Sequence, residues 1–174
     1  MQRMRGFTLI ELMITIIVLG ILVALAAPSF RTMIINQQSE AIGEDLVTAF
    51  QLARSEAVRR GGFVTVCPSD GGNGCGGTWA DGLLVIADSA VGTGAAIDLA
   101  DPDDRLRHLQ ISNDNAVIST TGPSFVRYDG RGIMVNGTEA FELTSHVADC
   151  KGERQRVISV GRAGMVTMHR NECP

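Results

Sequence analysis

The sequence predicts an α+β fold in which one long N-terminal helix, half membrane-spanning in character and half amphipathic, packs on an antiparallel β-sheet domain. Three features predict it: an unbroken apolar run from Phe7 to Ala27, apolar residues at helical spacing from there to about Arg60, and short aliphatic runs punctuated by glycine and Asx residues beyond Phe63. The 174 residues suit one globular domain and leave no room for a second of ordinary size. With 20% charged and 45% apolar residues, most of the chain should fold in water. Fifteen Lys and Arg against 19 Asp and Glu give a net charge of -4, which argues against a globally basic nucleic-acid coat. Twenty glycines, with a single Trp and a single Tyr, fit a turn-rich domain of aliphatic strands.

The run from Phe7 to Ala27 (FTLIELMITIIVLGILVALAA) has 21 residues and one charge, Glu11. At the α-helical rise it covers about 31 Å, close to the hydrocarbon thickness of a bilayer. Core helices of soluble domains seldom stay apolar on all faces for so long. Ahead of it, residues 1–6 (MQRMRG) carry Arg3 and Arg5, the positive flank that keeps this end cytoplasmic and sends residues 28–174 to the far side. A cleaved secretory signal is the competing reading, with Ala24-Leu25-Ala26 as a loose processing site. That reading gives Glu11 no purpose, although a carboxylate costs about 2.5–3.5 kcal/mol at the bilayer centre and less near the end of a span.

Pro28 is expected to bend the helix without ending it. Phe30, Ile34, Ile42, Leu46, Ala49, Phe50, Ala53 and Ala57 recur at helical spacing behind it, so residues 28–60 read as the amphipathic half. A helix from Phe7 to about Arg60 would be roughly 80 Å long. Gly61-Gly62 stops it, and residues 63–174 form the β domain. Its strands are expected over Phe63–Cys67, Leu83–Ala87, Leu106–Ile111, Ala116–Thr120, Phe125–Tyr128, Phe141–Thr144, Val157–Val160 and Met165–Met168, in one antiparallel sheet or two small ones. Asp88 to Asp104 is small, polar and acidic, which predicts a surface loop. Asn136-Gly137-Thr138 is formally a glycosylation acceptor, but between Ile133–Val135 and Phe141 it reads as a hairpin turn.

Cys67, Cys75, Cys150 and Cys173 have no CxxC spacing, and in a translocated domain they read as disulfides. Of three connectivities we prefer Cys67–Cys75 with Cys150–Cys173, since each closes a short loop. Loop entropy then contributes about 2.5 and about 3.5 kcal/mol.

Gly6-Phe7-Thr8-Leu9-Ile10-Glu11 resembles the processing motif of type IV prepilins and pseudopilins. Leu52-Ala53-Arg54-Ser55-Glu56-Ala57, Val64-Thr65-Val66-Cys67-Pro68, Trp79-Ala80-Asp81-Gly82 and Gly161-Arg162 are similar to the GspH/FimT family, and within it to minor pilins of the FimU or FimT type. The resemblance implies a type IV pilin fold, cleavage between Gly6 and Phe7 by the prepilin peptidase, N-methylation of Phe7, and retention of the apolar helix. It implies an inner-membrane subunit with a periplasmic domain, later part of a surface pilus, where it helps to prime assembly at the tip. Its partners would be other major and minor pilins, met through the N-terminal helix. Glu11 would pair with the freed amine of a neighbouring subunit and set axial register while aliphatic side chains supply packing. Loss of Arg3 and Arg5 leaves 13 Lys and Arg against 19 Asp and Glu, a balance of -6. The sister reading is a minor pseudopilin of type II secretion.

A third reading is DNA capture, since some FimT-like relatives take part in natural transformation through a Gly-Arg-x-Arg motif. Here Gly161-Arg162 matches, but Gly164 stands where the second arginine would be, leaving Lys151, Arg154, Arg156 and Arg170 as scattered substitutes, so Arg162 and Arg170 are the candidate contacts. His108, His146 and His169 are isolated, without HExxH or GxSxG, which points away from catalysis and from a cofactor. Asp98, Asp101, Asp103 and Asp104 lack the alternation of an EF-hand, so no metal is expected.

Overall fold

The computed structural model describes residues 7–69, 71–89, 97, 104–111, 115–137 and 139–174. Helix α1 spans Leu9–Arg60, passing through Pro28, and eight strands follow: β1 (Phe63–Pro68), β2 (Gly82–Asp88), β3 (Arg105–Gln110), β4 (Ala116–Thr121), β5 (Val126–Tyr128), β6 (Phe141–Val147), β7 (Gln155–Val160) and β8 (Val166–Asn171). The strands form two four-stranded sheets, ordered β3-β2-β1-β5 and β4-β6-β7-β8, and every named pairing is antiparallel. Gly61 ends the helix in the left-handed region, at φ 65°, while the Gly62 N–H donates to the Ala57 carbonyl at 3.3 Å.

The chain divides into two compact units, residues 1–37 and residues 38–174. In the second, α1 lays Leu46, Ala49, Phe50, Ala53 and Ala57 into a core that takes residues from both sheets: Val64, Val66, Leu83, Val85, Val126 and Tyr128 from one, Phe141, Leu143, Ile158 and Val160 from the other. Phe50, Trp79 and Phe141 form a tilted aromatic trio with centroids 5.4–6.2 Å apart, joining the helix, the 78–81 turn and β6. The buried stretch of the helix begins at Ser39. Phe30 and Ile34, which continue the same spacing toward the N-terminus, are exposed.

On the other face of β1 and β2, Cys67, Leu84 and Ile86 make a smaller cluster with Cys75, Ile97 and Phe125. This explains the near-continuous burial of both strands, which cover apolar groups above and below. Cys67–Cys75 and Cys150–Cys173 are disulfide-bonded.

Three local expectations are corrected. Asp88 does not open a surface loop: it ends β2 and is fully buried, its Oδ2 taking Arg127 Nη2 at 2.5 Å, Arg127 Nε at 2.9 Å and the Thr65 hydroxyl at 2.7 Å. Arg127 also lies over the Phe63 and Phe125 rings. Most of the expected loop, residues 90–96 and 98–103, lies outside the described residues. Asn136 does not turn a hairpin into β6, whose partners are β4 and β7. Its side chain clips the chain back onto β5, accepting the Arg127 N–H at 2.6 Å and donating to the Phe125 carbonyl. Arg156, read as one of the scattered substitutes for the second arginine of Gly-Arg-x-Arg, is completely buried and paired with Glu40 of α1, which Arg170 also reaches at 3.3 Å. Gly43 lets β7 and β8 come this near, because a Cβ there would stand 2.8 Å from Met168 Sδ.

Asp88→Ala, which strands the Arg127 guanidinium in the core, should cost about 3–5 kcal/mol in chemical denaturation, whereas Arg127→Met with Asp88→Leu should lie much nearer to wild type. The hydrogen bond from Arg156 holds the Glu40 carboxyl below its ordinary value of 4.5. Its contribution is therefore complete above that value and is lost as pH falls through the lower folded-state value. Denaturation midpoints compared at about pH 7 and about pH 3 should fall less in Glu40→Gln than in wild type.

Candidate functional site

The first turn of α1 is a capped N-terminus. The Thr8 hydroxyl accepts the Glu11 N–H at 3.3 Å, and the Thr8 carbonyl accepts the Leu12 N–H at 3.2 Å. Thr8 is thus the N-cap of α1, its hydroxyl bonded to the backbone N–H three residues on. Glu11 lies where the helix macrodipole favours an anion. Phe7 is 84% exposed, and an 18-residue window of this helix is entirely unburied, with large apolar side chains outward on every face. So much continuous apolar surface needs a bilayer or other helices around it. Thr15 is already satisfied, its hydroxyl donating to the Leu12 carbonyl at 2.8 Å, so Glu11 is the one charged side chain from Phe7 to Ala27. Gly6, Arg3 and Arg5 lie outside the described residues.

A second constellation sits where α1 ends. Arg54 donates from Nε to the Gly132 carbonyl at 3.1 Å and from Nη2 to the Ala163 carbonyl at 3.2 Å, tying the helix to two turns, 129–132 and 161–164. Sequence reading noticed Arg54 as part of a motif but had no signal for its partners, which are backbone oxygens distant in sequence. Asp129 shapes the first turn by accepting the Arg131 and Ile133 N–H groups at 2.9 and 3.0 Å. Burial alone would raise its carboxyl, but these N–H groups and the Arg131 guanidinium outweigh that and hold it below the ordinary range. Gly161 and Gly164 close the β7–β8 hairpin: the Gly164 N–H donates to the Gly161 carbonyl at 2.8 Å, and the Gly161 N–H to Met165 at 2.9 Å. Gly164 has φ +75°, and a Cβ there would run into the Gly132 carbonyl oxygen. An arginine at 164 would force the two turns apart, a physical reason for the departure from Gly-Arg-x-Arg. Arg162 is exposed on this turn, while Arg170 lies on β8 and leans toward Glu40, so the two are not neighbours in one patch.

The histidines fall on three strands: His108 on β3 in one sheet, His146 on β6 and His169 on β8 in the other. Among the described residues no group of three or more His, Cys, Asp or Glu could hold a metal ion. Asp98, Asp101 and Asp103 lie outside them, and Asp104 stands at the foot of β3.

Comparison with known proteins bears on both constellations. The model of the prokaryotic N-terminal methylation motif matches residues 1–27, and the model of type II transport protein GspH matches residues 43–164. The chain is 38% identical over 72 residues to the fimbrial protein EcpB of Eikenella corrodens, covering 41% of this chain and 45% of EcpB. It is 35% identical over 83 residues to the type IV narrow pilus major component PilA5 of Thermus thermophilus, covering 45% of this chain and 71% of PilA5. It thus spans less than half the length of EcpB. In fold it is similar to the type IV minor pilin FimU of Pseudomonas aeruginosa (TM-score 0.58, 17% identity, 76% of this chain and 89% of FimU). It is also similar to the minor pseudopilin EpsH of the Vibrio cholerae type 2 secretion system (TM-score 0.52, 11% identity, 76% of this chain and 97% of EpsH). These likenesses establish the type IV pilin fold. Because the GspH match takes in the packed end of α1, both arginine-tied turns and strands β1 to β7, the chain belongs to the type II transport protein GspH family of pilins and pseudopilins.

Proposed function

We propose that this chain is a minor type IV pilin, a non-catalytic structural subunit that helps to prime pilus assembly and joins the tip complex serving adhesion and twitching motility. The observation that carries the reading is the stretch of α1 from Leu9 to Leu25, apolar on every face and unburied, with one carboxylate in its first turn. Such a helix first anchors a precursor in the inner membrane, with residues 28–174 in the periplasm, and later becomes the core of a filament at the cell surface. The prepilin peptidase cuts between Gly6 and Phe7 and the new Phe7 amine is methylated. Glu11 then meets the amine of a neighbouring pilin, and each charge offsets the desolvation of the other. The methylation motif over residues 1–27 and the likeness to FimU support this.

A second reading, a minor pseudopilin of type II secretion, is favoured by the GspH match and the likeness to EpsH. Both readings share the processing and pairing chemistry and differ in the machine served. For DNA capture, Arg162 lies on a turn in which residue 164 has no room for a second arginine.

Peptide sequencing of the mature chain from cells should give an N-methylated start at Phe7. Gly6→Ala should leave the leader attached, and Glu11→Ala should yield a processed, folded chain absent from sheared filaments; a start elsewhere, or normal incorporation of Glu11→Ala, would refute the proposal. Deleting the gene separates the two machines. A pilin predicts loss of surface pili and twitching with secretion intact, and a pseudopilin predicts the reverse.

A further inference from the structure

The chain holds two Asn-Gly pairs, Asn73-Gly74 and Asn136-Gly137, which a linear reading cannot tell apart. Such a pair is the least hindered setting for attack by a backbone nitrogen on the preceding side-chain amide, because glycine has no Cβ to block the approach. The fold treats the two differently. Asn136 is half-buried and its amide is used at both ends: Oδ1 accepts the Arg127 N–H at 2.6 Å, and Nδ2 donates to the Phe125 carbonyl. Swinging this side chain toward the Gly137 nitrogen breaks both bonds. A carboxylate in its place would have no proton for the Phe125 carbonyl and would set two acceptors face to face.

Asn73 lies in the loop that the Cys67–Cys75 disulfide closes. It is exposed, and among the described residues no hydrogen bond holds its side-chain amide, whose nitrogen stands 4.0 Å from the place of a Cβ on Gly71. Gly71 and Gly72 on one side have φ 75° and 73°, and Gly76 and Gly77 on the other have φ 156° and 76°, so Asn73 is set among residues with the widest backbone freedom. The Gly74 carbonyl accepts the Ser69 hydroxyl at 2.6 Å, and the Gly76 N–H donates to the Pro68 carbonyl at 2.8 Å. These bonds hold the loop on either side of Asn73 without engaging its amide.

We propose that Asn73 is a site of spontaneous deamidation by water and that the fold protects Asn136 from the same reaction. The Gly74 backbone nitrogen forms a bond to Asn73 Cγ and gives up its proton, the Cγ–Nδ2 bond breaks, and Nδ2 leaves as ammonia with that proton. A five-membered imide remains. Water then opens it on either side: cleavage at Cγ gives aspartate, and cleavage at the backbone carbonyl gives isoaspartate, in which the main chain runs through Cγ. Nothing is oxidised or reduced, and no enzyme or cofactor enters. Either product adds one negative charge, taking the chain from -4 to -5. The charge arrives next to Gly72, where a Cβ would stand 2.7 Å from the His108 ring. The isoaspartyl product also inserts a methylene into the main chain inside the disulfide-closed loop. Conversion runs one way, so this loop records the age of the chain, whichever machine the subunit serves.

The test incubates the full chain, purified in detergent, at mildly alkaline pH in heavy-oxygen water over a series of days, then reduces it and digests it with trypsin in ordinary water. Each conversion during incubation carries one heavy oxygen, which separates it from conversion during digestion. Asn73 is the single asparagine of the tryptic peptide Gly61–Arg105, and Asn136 of the peptide Gly132–Lys151. In the folded chain the Asn73 peptide should convert about tenfold faster or more than the Asn136 peptide, the factor that two hydrogen bonds on Asn136 imply. Its products should separate chromatographically into isoaspartyl and aspartyl forms. In the reduced chain held in denaturant, where the clip on Asn136 is gone, the two rates should agree within about twofold. Gly74→Ala asks for no left-handed φ. It should slow Asn73 about tenfold and leave Asn136 unchanged, in the folded and in the denatured chain alike, so the result stands even for a variant that does not fold. Equal rates in the folded chain, a faster Asn136, an Asn73 that stays intact while the denatured chain converts, or an Asn73 rate indifferent to Gly74→Ala would overturn the proposal.

Discussion

Two four-stranded sheets share one helix face, and the rest of the folded unit follows from that sharing. Neither sheet has enough strands to bury an apolar face by itself with much to spare. The stripe from Leu46 to Ala57 serves both: Val64, Val66, Leu83 and Val85 approach it from one sheet, and Phe141, Leu143, Ile158 and Val160 from the other. A fully buried Leu or Phe contributes about 1.5–3 kcal/mol, so Leu46 and Phe50 are worth more than any surface ion pair in the molecule. The small residues Ala49, Ala53 and Ala57 matter for the opposite reason, since they leave room for strands to come near the helix backbone.

Polar groups hold that arrangement in register. Glu40 meets Arg156 and Arg170 near the start of the packed stretch, and Arg54 reaches the Gly132 and Ala163 carbonyls near its end. An apolar stripe alone would let the helix slide or rotate against the sheets, whereas these directional contacts tolerate few alternatives. The buried Arg127–Asp88 pair does the same for the smaller face of β1, β2 and β5, where the Thr65 hydroxyl also donates to the carboxylate.

The apolar half of α1 obeys a different solvent rule. From Leu9 to Leu25 large side chains point outward in all directions, and the backbone satisfies itself within the helix, which is what a hydrocarbon environment demands. Thr8 and Glu11 appear where that helix begins, and both have a local reason to be there: the hydroxyl caps a free N–H and the carboxylate faces the positive end of the dipole. These local roles are compatible with a partner charge on another chain, because capping uses the Glu11 backbone and leaves its carboxylate open.

By itself the sequence determined what depends on near neighbours. The apolar run, the stop at Gly61, the positions of the eight strands and the clustering of cysteines into two short loops are all set by spacing over a few residues, and spacing is visible in a linear string. Tertiary structure decided which strands pair, that they form two sheets, and where the charges go. Asp88 and Arg156 looked like surface residues because ionised side chains usually are, and each became buried only when a partner far away in sequence, Arg127 for one and Glu40 for the other, was folded against it. Asn136 looked like a turn former and became a clip for β5, since its amide could satisfy two backbone groups that only the folded chain brings within reach. Hydrophobic periodicity is a local property of the chain. The satisfaction of a buried polar group is a property of the whole fold, and no window of sequence contains it.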